Sequence, residues 1–143
     1  VFDPCDFHEN VRIFLTPDRK TPTISLVDYL NRFSDWKHEA STFVITLIYI
    51  HRFIRECGPN AFNQFSFYRV FLTAFTLAAK WIVDEPLSNE CYAYFGGLPV
   101  ADLNEFELQF SMILKCQFFV SEEEFDRFVS MPILELLTPI APK

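Results

Sequence analysis

Between Phe71 and Asp84 the chain reads FLTAFTLAAKWIVD, an apolar helical run in which Lys80 is the single interior charge. A helix that is apolar on nearly all sides belongs in the middle of a core. Glu107 sits in a second run of the same kind, LNEFELQFSMILK. A cation or carboxylate on such a helix needs water, a partner charge or a partner protein. Opposite charges on two successive core helices point to a surface built for recognition.

The remaining periodicity is also helical. After Pro22, Ile24, Val27, Leu30 and Phe33 follow the three-to-four spacing, with Ser25 or Thr23 as N-cap. A second helix is predicted from about His38 to Glu56, with Phe43, Val44, Leu47, Ile48 and Ile54 on its apolar side and Gly58-Pro59-Asn60 as its stop. The third opens near Ser66 and carries Val70, Phe71, Ala74, Leu77, Ala78 and Trp81 on one broad stripe, ending at Asp84-Glu85-Pro86. A short fourth helix, Asn89 to Phe95, stops at Gly96-Gly97. The fifth, about Val100 to Lys115, turns Leu103, Phe106, Phe110, Ile113 and Leu114 inward or toward a partner. Ser121 with Glu124 three residues on has the capping-box pattern and starts a sixth helix through about Met131. Residues 1–22, with three prolines, read as an arm holding at most a short helix or turn, and Pro132, Pro139 and Pro142 make the tail irregular. The expected fold is all-α, with the third helix at its centre.

Composition narrows the function. The chain has 143 residues, the size of one domain, and half of them are hydrophobic, so a packed core is expected. There are 18 Phe and only 3 Gly. Most of the Phe must be core, and a minority on the third and fifth helices can form an exposed partner patch. A net charge of -7 argues against the basic face that nucleic acid needs and against an anionic membrane surface. No stretch reaches the ~20 apolar residues of a membrane span. The N-terminus lacks the basic start and apolar core of a signal peptide, and no initiator Met is present, as in a segment of a longer chain.

Candidate chemistry is sparse. Cys5, Cys57, Cys91 and Cys116 are scattered without a CxxC pair, and Cys57 and Cys116 lie in apolar contexts where a thiol acts as a small hydrophobe. A reduced, intracellular, metal-free chain is expected. His8, His38 and His51 form no metal spacing, and Gly96-Gly97 sits in no phosphate-loop pattern. Ser121-Glu122-Glu123-Glu124 complements a helix dipole. Nothing assembles a nucleophile, a base and an oxyanion site, so neither catalysis nor a cofactor is expected. On physics alone, Lys80 is also readable as a snorkelling lysine, and Glu107 as its neutralising mate.

Five motifs in order resemble a cyclin box, with the closest likeness to the P- and U-type cyclins. They are Pro22–Leu26 with Tyr29–Arg32, then YIHRF, YRVFLTAFTLAAKW, NECYAYFGGL, and the stretch from Leu103 to Phe125. The likeness spans about Pro22 to Phe128. It implies a single five-helix cyclin-box domain over 23–120, preceded by an N-terminal arm (1–22) and followed by an extra helix and irregular tail (121–143). It implies a non-catalytic regulatory subunit that binds a cyclin-dependent kinase, presses on its C-helix and opens its activation segment. The family's interface pair maps onto Lys80 and Glu107. Adjacent kinase-facing positions are Trp81, Leu108, Ser111, Cys116 and Phe118. Substrates or inhibitors of the kinase are further partners in such families, and nucleus or cytoplasm is the expected location. A helix-1 substrate-docking patch is not matched, because Pro22–Leu26 keeps only its final Leu. Two other readings stay open: a cyclin-box adaptor without a kinase, or a small helical ligand-binding protein with a pocket near His51.

Overall fold

Ser25, one of the two candidate caps, accepts the Asp28 N–H at 3.1 Å and so starts the first helix, α1 (Leu26–Ser34). The computed structural model describes Phe14 and residues 25–34, 40–63 and 65–130. Thr23, Ile24, His38, the tail from Met131 and all of the arm except Phe14 lie outside the described residues. Next come α2 (Ala40–Cys57), a 3₁₀ turn (Pro59–Ala61), α3 (Phe67–Ile82), α4 (Asn89–Gly96), α5 (Val100–Ile113) and α6 (Glu122–Ser130). Among the described residues there are six α-helices and no strand, so the all-α expectation is met.

α3 is the central element. Every residue from Val70 to Ala79 is buried, and the helix packs against α2, α4 and α5. Thr73 and Thr76 can lie inside because each hydroxyl donates to the carbonyl four residues back, Arg69 O at 2.6 Å and Leu72 O at 2.8 Å. The same device operates on α2, where Thr46 Oγ1 donates to Thr42 O at 2.7 Å. It also rotates the inward face of α2 from the predicted one. Thr42, Ile45, Thr46, Tyr49 and Phe53 are buried along with Ile48 and Ile54, whereas Phe43, Val44 and Leu47 are half-buried. Locally satisfied threonines read as polar in a sequence but pack as small apolar groups.

α1 differs from expectation for a related reason. Val27 points to solvent, and the buried pair is Tyr29 and Phe33. The Tyr29 ring stands edge-on to Phe33 and Tyr68, at 5.1 and 4.5 Å between centroids, and its hydroxyl donates to Gly96 O at 3.1 Å. A tyrosine with a partner for its hydroxyl outcompetes a valine for the interface. Arg32 Nη1 adds a bond to Phe95 O at 3.3 Å, so α1 grips the C-terminus of α4.

α4 starts on Ser88, whose Oγ accepts the Cys91 N–H at 3.3 Å. It ends as predicted at the glycine pair. Gly97 adopts φ +77°, and Leu98 N–H closes back on Ala93 O at 2.9 Å. Gly96 is needed for a different reason: a Cβ there would collide with the Leu72 side chain on α3. On the other side of the core, Phe53 and Phe110 stack at 5.1 Å, and Phe14 stands edge-on to both. α5 stops at Ile113, short of the expected Lys115, because Lys115 and Cys116 both take φ of +56° and reverse the chain.

Gly96→Ala is expected to lower stability by about 1–3 kcal/mol, since Leu72 is fully buried and has no room to yield. Equilibrium urea unfolding measures it, and an unchanged midpoint would show that α3 and α4 can separate freely.

Candidate functional site

The first residues of α3 to leave the core are Lys80 and Trp81, in its last turn. Lys80 Nζ lies 2.8 Å from both carboxylate oxygens of Glu107 on α5. The two isolated charges of the sequence are therefore mates. Their side chains remain 35% and 22% exposed, so neither is sealed from solvent or from a partner. A pair this open contributes at most about 1 kcal/mol to the fold. Asn89 Nδ2, at the start of α4, adds a bond to Glu107 Oε2 at 3.3 Å while donating to Asn104 Oδ1 at 2.7 Å.

Each charge is followed in the chain by an exposed apolar side chain, and a third lies one turn beyond Leu108. Trp81 is 51% exposed, Leu108 60% and Met112 56%, on two helices that pack side by side. Solvent-facing large apolar side chains gathered beside a charged pair have the composition of an interface rather than of an ordinary surface. Ser111 is half-buried and spends its hydroxyl on Glu107 O at 2.7 Å, so it offers its flank rather than a hydrogen bond. Phe118 is half-buried beneath Trp81, with ring centroids 6.0 Å apart. Cys116 corrects an expectation. It is exposed, sits past the end of α5 with φ +56°, and does not pack as a small core hydrophobe. Cys57 does so: it is buried, and burial, with a smaller contribution from Glu56, pushes its thiol pKa up to about 12.

The segment after α5 is held by a residue that sequence reasoning passed over. Arg52 of α2 donates to Gln117 O at 2.7 Å and Phe119 O at 2.9 Å, and pairs with Glu124 of α6 at 2.7 Å. Tyr49, one turn earlier, donates to Phe118 O at 2.7 Å, and burial raises its phenol pKa. Arg52 thus clamps both the 117–119 strip and α6. The signal for it was weak: Arg52 interrupts an apolar run, but beside His51 and close to Arg55 and Glu56 it reads as part of a polar helix end. Glu124 N–H caps onto Ser121 Oγ at 3.1 Å as predicted, but among the described residues its carboxylate goes to Arg52 rather than back to Ser121.

Arg52, Trp81, Cys116, Phe118 and Phe119 line a cleft of about 470 Å³ between the ends of α2 and α3 and the start of α6. His51 is not part of it. Its ring stands edge-on to Phe128 of α6 at 5.2 Å, and burial first, then Arg55, lowers its pKa. Among the described residues no group of three or more His, Cys, Asp or Glu could hold a metal, and no helix is long and apolar enough to cross a membrane.

The family profile described as Cyclin matches residues 4–118. The chain belongs to the cyclin family. Among curated relatives, the cyclin-family chain is 37% identical over 93 residues to the Nuc-1 negative regulatory protein preg of Neurospora crassa, covering 64% of this chain and 19% of the relative. It is 29% identical over 123 residues to Cyclin-U4-1 of Arabidopsis thaliana, covering 84% and 61%. With PHO85 cyclin-like protein psl1 of Schizosaccharomyces pombe it shares 30% over 112 residues, covering 77% and 46%. The chain thus spans less than two thirds of the length of each of these relatives. Such neighbours bear out the likeness to P- and U-type cyclins.

The clamp and the thiols each make a testable prediction. Arg52→Ala removes three bonds and orphans two carbonyls and a carboxylate; it is expected to cost about 2–3 kcal/mol in urea unfolding and to speed hydrogen exchange in α6. Retention of the wild-type midpoint and protection would mean that α6 docks by its apolar side alone. Near pH 8, iodoacetamide is expected to modify Cys91 and Cys116 well before Cys57, read by peptide mass spectrometry; equal rates would contradict the burial of Cys57.

Proposed function

We propose that the chain is a regulatory subunit that binds a cyclin-dependent protein kinase through the face carrying Lys80, Glu107, Trp81, Leu108, Ser111, Cys116 and Phe118. The single observation that carries this reading is the Lys80–Glu107 pair joining α3 to α5, each charge followed in the chain by an exposed large apolar side chain, Trp81 and Leu108, in a cyclin-family chain. Relatives named as PHO85 cyclins support a kinase of the cyclin-dependent class as the partner.

The mechanism is conformational. The chain supplies no reacting group; it binds the active arrangement of the kinase more tightly than the inactive one, and that difference sets the shift in population. Its contact would hold the kinase C-helix inward and the activation segment open. Trp81 and Leu108 contribute buried apolar area, with tryptophan the residue type that most often dominates such contacts. Lys80 and Glu107 offer a hydrogen-bond donor and acceptors at the centre of that area.

A second reading, a cyclin-family adaptor that binds a different protein on the same face, shares the geometry and differs only in partner. The ligand-carrier reading has less behind it. It calls for a pocket at His51 and separated charges, whereas His51 lies outside the cleft and the charges are 2.8 Å apart.

Lys80→Glu places two carboxylates together and is expected to keep the fold while weakening kinase binding by about 2–5 kcal/mol. The measurement is size exclusion and phosphate transfer with cyclin-dependent kinases of the same proteome, beside the wild type. Binding and stimulation that survive the substitution would sink the interface; a wild-type chain that binds no such kinase would favour the adaptor.

A further inference from the structure

Asn89 opens α4 and begins the Asn-x-x-Tyr-Ala-x-x-Gly-Gly pattern, yet neither the helix nor the core requires it. Ser88 provides the cap of α4, and Asn89 itself is only half-buried. Its amide nitrogen reaches two acceptors, Asn104 Oδ1 at 2.7 Å and Glu107 Oε2 at 3.3 Å. Its own Oδ1 is buried and has no hydrogen-bond partner among the described residues. Buried acceptors without a donor are uncommon and call for a reason. Here the reason is geometric. Turning the amide over would set Oδ1 against a carboxylate, so the orientation that orphans one acceptor is the one that serves Glu107.

Glu107 consequently receives three hydrogen bonds on its carboxylate, two from Lys80 and one from Asn89. A lysine ammonium carries three N–H groups, and two of these are aimed at Glu107. We infer that Asn89, seated on Asn104, is a positioning residue that holds the Glu107 carboxylate, so that Lys80 presents its third N–H outward in a fixed direction. The consequence for binding rests on the kinase-interface reading above. A long side chain already held in its bound geometry loses less freedom on docking, which raises affinity without adding a contact. Asn89 acts through Glu107 and is not assigned a contact with the partner.

The test is Asn89→Asp in the chain as it stands, because this exchange separates positioning from structure. A carboxylate at the first position of α4 suits the helix dipole. That offsets part of the cost of the lost Asn104 bond and of repulsion from Glu107, so the urea midpoint is expected to fall only slightly and the chain to stay folded. The donor to Glu107 is lost and a repelling charge takes its place. In the free chain, the Lys80 ammonium is expected to give a slowly exchanging signal in a side-chain ¹H–¹⁵N correlation spectrum, lost in Asn89→Asp. Affinity for the cyclin-dependent kinase is expected to fall about tenfold, the scale of one charge-assisted hydrogen bond. An unchanged Lys80 signal overturns the inference. So does wild-type affinity in Asn89→Asp alongside loss of binding in Lys80→Glu, which leaves the interface reading standing. If Lys80→Glu also binds like the wild type, the interface reading itself falls.

Discussion

A helix buried through ten consecutive residues can reach water only at its ends, and this constraint organises the molecule. α3 is enclosed by α2, α4 and α5 from Val70 to Ala79, so the turn beyond Ala79 is the first part of it that a partner can touch. That turn carries Lys80 and Trp81, one cation and one large aromatic. The neighbouring α5 brings Glu107 onto Lys80 and carries exposed Leu108 and Met112 nearby in the chain. The recognition face therefore inherits its rigidity from the core: its anchors are the last turn of the best-packed element rather than a loop. Rigid placement suits the proposed role of preferring one arrangement of a kinase, since a yielding face would fit both.

Electrostatics refine that face without stabilising the fold much. The Lys80–Glu107 pair is too open to be worth more than about 1 kcal/mol to the free chain. Its worth lies in direction, because paired charges present fixed donors and acceptors. Arg52 does a different job with the same chemistry. It is less exposed and tied to two backbone carbonyls as well as to Glu124, so it fastens the 117–119 strip and α6 to α2. One salt bridge lies at the more open end of α3 and the other joins two elements of the fold, and the hydrogen bonds around each tell them apart.

Legibility varied with the kind of signal. Helix limits marked by local chemistry were readable: Ser25 and Ser121 as caps, and Gly97 in its left-handed conformation. The inward faces of α1 and α2 were read less well. Thr46 looks polar but satisfies its hydroxyl on the Thr42 carbonyl, and Tyr29 displaced Val27 because Gly96 O awaited its hydroxyl. Cys116 was misjudged because two successive left-handed residues, with no glycine to announce them, end α5 early. Arg52, Asn89 and Asn104 were given no role at the site, since each one's importance lies in what it meets far away in the sequence.

By itself, then, the amino-acid order determined that the chain is helical, where most helices start and stop, that α3 is central, and that Lys80 and Glu107 are anomalous. Those properties follow from periodicity, capping and the cost of burying charge, all of which act within a few residues. Tertiary structure alone decided that the two charges touch, that Asn89 joins them, and that Arg52 closes the cleft beside Trp81. Such contacts depend on how helices distant in sequence cross, and crossing is set by packed volume, as where Gly96 admits Leu72. No local pattern carries that information.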